Sequence, residues 1–193
     1  MIEDDYVPAS VGHAKDKFIV LSGCSGSGKS SLLSALAGRG YRVVPEPGRQ
    51  VIREQAFIGG DATPDRDTIR FLELTISRTM HQMISAASTR SRIFFDRSIV
   101  DQISGFEQMG TTIPVHLQRA AELFRYYRQV FITPPWPEIF SNDAERTHTF
   151  ESAIASYAAQ LKTYERLGYE PVFVPQLGVE ERADFVLRTL PAE

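Results

Sequence analysis

The stretch "GCSGSGKS", Gly23 to Ser30, follows a short apolar run and precedes an amphipathic one. It fits the pattern G-x-x-x-x-G-K-[S/T], and few local sequences constrain a fold so strongly. Glycine-rich turns of this spacing let backbone N–H groups face the oxygens of a phosphate. The helix that follows adds the positive end of its dipole. The mechanism therefore demands a buried strand, this loop and a helix, in that order. "KFIVLSG" supplies the strand and "SSLLSALAGRG" the helix, closed by Gly38 and Gly40. Gly23, Cys24, Ser25, Gly26, Ser27, Gly28, Lys29, Ser30 and Ser31 are the expected phosphate-binding residues. Lys29 is expected to reach the β- and γ-phosphates. The Ser30 hydroxyl is expected to ligate Mg²⁺.

The rest of the chain repeats the alternation. "YRVVPE", "RIFFDRS", "QVFITPP" and "EPVFVP" read as further short strands. Helical patterns lie between and after them. One helix is expected from Pro64 to Ser88 with Thr63 as its N-cap; its apolar face would carry Ile69, Leu72, Ile76, Met80, Met83 and Ala87. Others are expected over 99–109 and 115–127. A further one runs to about Leu167 with Phe150, Ile154, Tyr157, Leu161 and Tyr164 on one face, and the last begins at Val179. The fold class is therefore α/β: a five-stranded parallel sheet with helices on both faces. Residues 1–16, "MIEDDYVPASVGHAKD", read as a flexible leader, and residues 17–193 as a single domain.

Composition narrows the partners. The net charge is −3 over 193 residues, which gives no basic face for a nucleic acid polymer. No apolar run approaches the ~20 residues of a membrane span, and the N-terminus lacks the apolar core of a signal peptide. The single cysteine, Cys24, fits a reducing cytoplasm. A helix N-terminus can activate a thiol, but a small residue filling a tight turn is the simpler role for Cys24. His13, His81, His116 and His148 have no metal-ligand spacing.

Three further stretches bear on the fate of the phosphate. "IFFDRS" is an apolar strand ending in Asp96 and resembles a Walker-B strand, whose aspartate supports Mg²⁺ through water. Hydrolytic enzymes with this loop commonly follow that aspartate with a glutamate that activates water; here Arg97 follows. "PEPGRQV" ends the second strand, and strand carboxyl ends face the ligand crevice of an open parallel sheet. Glu46 and Arg49 are thus expected to line an acceptor pocket. "PPWPEIFSNDAERTHTF" follows the fourth strand, and its Arg146 is the candidate lid arginine that would close over the donor phosphates. Glu180, Glu181 and Arg182 read as a solvated helix start. No Asn-Lys-x-Asp guanine-reading motif is present, which favours ATP. Pro175 and Leu177, after the fifth strand, are candidates for the adenine site.

These stretches, together with "YERLGYEPVFVP", resemble the small bacterial predicted ATPases of the AAA-domain group, over nearly the whole chain beyond the leader. They are also similar to ribosylnicotinamide kinase domains and, more distantly, to nucleoside and nucleotide kinases. Asp-Arg-Ser after the third strand and Glu-Pro-Gly after the second resemble thymidylate kinase. The resemblance implies a P-loop NTPase domain of the kinase-like type with a lid segment. In it, Asp96 accepts the acceptor hydroxyl's proton or orients it, and Arg97 binds phosphate or holds the acceptor. ATP and Mg²⁺ are the implied cofactors. The partner would be an unidentified small-molecule acceptor, and a homodimer is a common assembly of such kinases. An ATPase or nucleotide-state switch acting on a protein partner is the alternative, and a pure ATP-binding module the third.

Overall fold

The computed structural model describes residues 6–140 and 149–192. In chain order its elements are α1 (Val11–Ala14), β1 (Phe18–Gly23), α2 (Lys29–Gly38), β2 (Arg42–Val44), α3 (Pro47–Ile58), α4 (Thr68–Ala86), β3 (Ile93–Asp96), α5 (Ile99–Gln108), α6 (Val115–Leu123), β4 (Gln129–Thr133), α7 (Phe150–Arg166), β5 (Glu170–Phe173) and α8 (Val179–Thr189). The strands form one parallel sheet in the order β2-β3-β1-β4-β5. Register pairs Leu21 with Asp96, Gly23 with Thr133 and Val44 with Phe95. The carboxyl ends of four strands therefore meet along one edge. The helix after β1 packs on one face of the sheet and the helix after β4 on the other, the arrangement that opens a ligand crevice at this edge.

All six residues of β1 are buried, as a strand covered on both faces requires. Alternate side chains enter two cores. Ile19, Leu21, Phe94 and Phe131 pack with Leu32, Leu33 and Leu36 of α2 and Ala183 and Val186 of α8. Phe18, Val20, Phe95, Val130 and Ile132 pack with Leu72, Ile76 and Met83 of α4 and Phe106 of α5 on the opposite face. Phe95 stands edge-on to Phe18 at 5.2 Å and to Tyr126 at 5.6 Å. Truncating such a residue to alanine costs about 3–5 kcal/mol. Among the described residues, no helix is long and apolar enough to cross a membrane.

Several local expectations are corrected. The α4 helix begins at Thr68, with Asp67 as N-cap accepting from Arg70 N at 3.0 Å. Thr63 instead binds Asp65 through its hydroxyl, and Pro64 lies in the turn before the helix. Ile69, expected on the apolar face, is exposed. The α6 helix stops at Leu123, four residues before Tyr127. Tyr126 is buried, and its hydroxyl accepts from Ile99 N. Within the stretch read as a leader, residues 8–16 form short helical turns that run into Lys17, and Val11 and Ala14 join the core. The candidate lid residue Arg146 lies outside the described residues.

Candidate active site

The turn between β1 and α2 is shaped by three glycines in left-handed or related conformations. Gly23 has φ +123°, and Gly26 and Gly28 each have φ +75°. A β-carbon on Gly23 would lie 2.3 Å from the carbonyl oxygen of Thr133. That close approach lets Cys24 N donate to Thr133 O at 2.9 Å and fixes the turn to the end of β4. Ser27 Oγ bridges Cys24 O and Thr133 Oγ1, 2.6 Å from each. Gly28 caps the ten-residue α2, so the loop wraps around a helix N-terminus. Burial pushes the Cys24 thiol above its ordinary value, and the nearby Arg97 charge only partly offsets this. Cys24 is a buried filler of the turn.

Lys29 opens α2, and its Nζ lies 2.7 Å from Asp96 Oδ1 at the end of β3. Both side chains are nearly buried. Ser30 and Ser31 are exposed on the first turn of α2. Ser30 and Asp96 are both oxygen donors, the ligand type that Mg²⁺ accepts beside water and substrate phosphates. Among the described residues, no group of three or more His, Cys, Asp or Glu gathers around a metal position.

Arg97 is the one non-glycine residue with positive φ, +66°, among those described. Such strain persists only where surroundings hold it. Its N–H donates to Leu21 O at 2.9 Å. Its Nε lies 3.3 Å from Glu46 Oε1, and its Nη1 lies 3.1 Å from Asp101 Oδ1. Burial opposes the charge, but Glu46, Asp101 and Asp96 outweigh it and hold the guanidinium above its ordinary value. Arg49 Nε lies 3.6 Å from Glu46 Oε2. The sheet edge thus brings Lys29, Asp96, Arg97, Glu46 and Arg49 into one chain of opposite charges.

Two residues that matter here have no obvious mark in the sequence. Asp101 caps α5 and accepts from Ser98 N at 2.8 Å and Tyr164 OH at 2.6 Å, besides Arg97 and the Ser22 hydroxyl. A carboxylate so fully occupied is a fixed anchor for Arg97. The Ser98-x-x-Asp101 spacing of a capping box is the signal that could have found it. Arg182, expected in solvent, is 5% exposed. Its Nη1 sits 3.4 Å from the carbonyls of Ser27 and Gly28, and its guanidinium lies over the Trp136 ring at 5.4 Å. Burial lowers its pKa. No local pattern marks it, because the fold brings it to the loop from α8.

A cavity of about 660 Å³ opens beside the loop. Gly23, Ser25, Glu46 and Arg97 form part of its wall. Lys29, Ser30, Arg49 and Asp96 are not among its lining residues; Asp96 pairs with Lys29, and Arg49 lies beside Glu46.

The family model described as AAA domain matches residues 18–182. Among solved structures, thymidylate kinase from Ehrlichia chaffeensis superposes with a TM-score of 0.56 at 16% identity, covering 91% of this chain and 98% of that one. Deoxyadenosine kinase from M. mycoides with bound dATP superposes with a TM-score of 0.52 at 14% identity, covering 90% and 98%. At these identities the likeness shows the P-loop kinase fold. A curated relative, UvrABC system protein A from Malacoplasma penetrans (strain HF-2), is 38% identical over 85 residues, 42% of this chain. The chain spans 9% of that protein's length.

Proposed function

We propose that this chain, which belongs to the AAA domain family over residues 18–182, is a Mg²⁺-ATP-dependent phosphotransferase acting on a small nucleoside-like or nucleotide-like acceptor. The observation that carries the proposal is the shared wall. The cavity of about 660 Å³ is bounded by the phosphate loop itself and by a buried carboxylate, Glu46. That volume lies within the ~300–1,000 Å³ of pockets that enclose small molecules. It gives room beside the loop for a second small molecule. Arg97 after Asp96, where a water-activating glutamate would otherwise stand, supports the same reading.

The chain's residues divide the work. Lys29 and the loop N–H groups hold the donor phosphates, and Lys29 exchanges its contact with Asp96 for one with phosphate. Ser30 and Asp96 would hold Mg²⁺, which supplies charge neutralisation when bound. Glu46 faces the acceptor and takes its hydroxyl proton. The acceptor oxygen forms a bond to the γ-phosphorus. The bond from that phosphorus to the bridging oxygen breaks with its electron pair, and ADP leaves. Arg97, held protonated and fixed by Asp101, offsets the charge on the transferring group. Arg146 remains the proposed lid residue.

The test is Glu46→Gln. The glutamine keeps the shape of the wall and cannot take the proton. Label transfer from γ-labelled ATP to an acceptor should fall by at least about 10²-fold, with ATP affinity within a few-fold of the parent. Transfer at the parental rate would remove Glu46 from the chemistry.

A further inference from the structure

We infer that the acceptor is an uncharged nucleoside-class molecule, a hydroxyl-bearing sugar on a heterocycle whose edge offers a hydrogen-bond donor beside an acceptor, rather than a nucleoside monophosphate. This rests on the phosphotransferase reading above and narrows it.

The first observation is Gln160 on α7. It is 7% exposed, it lines the cavity, and its Oε1 is fully buried with no hydrogen-bond partner among the described residues. Leaving a buried amide oxygen unpaired is costly, and folded chains rarely do so without a use for the group. Gln102 on α5 also lines the cavity and is 7% exposed. Each glutamine offers one carbonyl acceptor and one NH₂ donor pair on a planar group. That matches the N–H and C=O, or ring N and NH₂, edge of a nucleobase or a carboxamide-bearing ring. Phe71 and Tyr157 line the same cavity and add the flat apolar surface such a ring requires.

The second observation is charge. The ionisable residues of the cavity wall that carry charge at neutral pH, among those described, are Glu46, Asp65 and Arg97. Two carboxylates thus stand against one guanidinium. That guanidinium is already engaged by Glu46 at 3.3 Å and Asp101 at 3.1 Å. A monophosphate dianion entering here would find the one lining guanidinium among the described residues already held by two carboxylates. A neutral ribosyl or deoxyribosyl hydroxyl would meet Glu46, which can accept its proton. The amides read the ring, and an Arg97 already committed to Glu46 and Asp101 gives a phosphate no advantage over a hydroxyl.

The experiment uses the full chain with Mg²⁺ and a non-hydrolysable ATP analogue. Probes are uridine, thymidine, cytidine, adenosine, guanosine and nicotinamide riboside, each paired with its own 5′-monophosphate, with binding measured by calorimetry. At least one nucleoside should bind at least tenfold tighter than its monophosphate. Gln160→Leu, and separately Gln102→Leu, should each weaken that nucleoside at least tenfold, with affinity for the ATP analogue reporting an intact fold. If no nucleoside outcompetes its monophosphate, or if both leucine variants bind the nucleoside as the parent does, the inference is overturned. Failure of the phosphotransferase reading is distinct: the preferred nucleoside would bind, and γ-label would still appear only as free phosphate.

Discussion

Lys29 Nζ and Asp96 Oδ1 stand 2.7 Å apart, one at the start of α2 and the other at the end of β3, with both side chains nearly buried. Each charge compensates the other. Removing one partner of a buried pair leaves an uncompensated charge, at about 3 kcal/mol. Asp96→Asn and Lys29→Met should therefore each lower stability to urea by about that amount. The double variant should lose at least ~1 kcal/mol less than the sum of the two. Strict additivity would mean that the contact does not hold the ground state together.

The Gly23 turn makes a sharper claim. An added β-carbon would lie 2.3 Å from Thr133 O and 2.6 Å from Thr133 N, both backbone atoms of the neighbouring strand. With φ at +123°, Gly23→Ala should destabilise the fold by about 3 kcal/mol. Gly38→Ala, at the end of α2 with nothing within 4 Å of the new carbon, is the control. Its stability should stay within about 1 kcal/mol of the parent or rise slightly. Equal effects at the two positions would contradict the geometry.

Arg182 is a buried cation beside the phosphate loop with no carboxylate partner among the described residues, and its Nε has no hydrogen-bond partner there. Burial disfavours its charge. A bound polyphosphate would relieve that cost. Arg182→Gln should weaken ATP binding about tenfold, or ~1.4 kcal/mol, while raising or sparing the stability of the nucleotide-free protein, because an unpaired buried charge is removed. A variant with parental ATP affinity would limit Arg182 to packing against Trp136.

Cys24 sits inside the same loop, and burial raises its pKa above the ordinary thiol value. The thiolate fraction in the folded protein is therefore lower than in the unfolded chain around and above neutral pH. Alkylation by iodoacetamide under mildly alkaline conditions should run at least roughly tenfold slower in native protein than in urea. The contrast should shrink only as pH climbs past the ordinary thiol value. A native rate equal to or above the unfolded rate would show a reactive thiolate.

Much of the arrangement is legible in the sequence. The phosphate loop carries its own strand and helix requirement, and the apolar runs that end at Gly23, Asp96 and Thr133 mark three of the parallel strands. What the sequence hides is long-range or conditional. Arg182 looks solvated in "VEERADF" because the fold, not the local pattern, carries it to Gly28. Asp96 reads from sequence as the group that orients the acceptor; the fold sets its Oδ1 2.7 Å from Lys29 Nζ and places Glu46 of the adjacent connection in the cavity wall, a proximity no local pattern shows. Helix faces shift for a similar reason. Ile154 reads as apolar and inward, but α7 turns Ala153, Gln160, Thr163 and Tyr164 inside. A polar residue kept inside by site chemistry, such as Gln160, defeats a hydrophobic pattern.

The central claim is that this site passes phosphate to a molecule in the cavity rather than to water. The most direct measurement follows γ-labelled ATP with Mg²⁺ and pooled nucleosides, nucleotides and ribosyl-pyridine compounds, and compares label on an acceptor with label in free phosphate. The account predicts one labelled acceptor forming faster than free phosphate, with ADP produced in equal amount. Label in free phosphate alone, at a rate no acceptor changes, would contradict it.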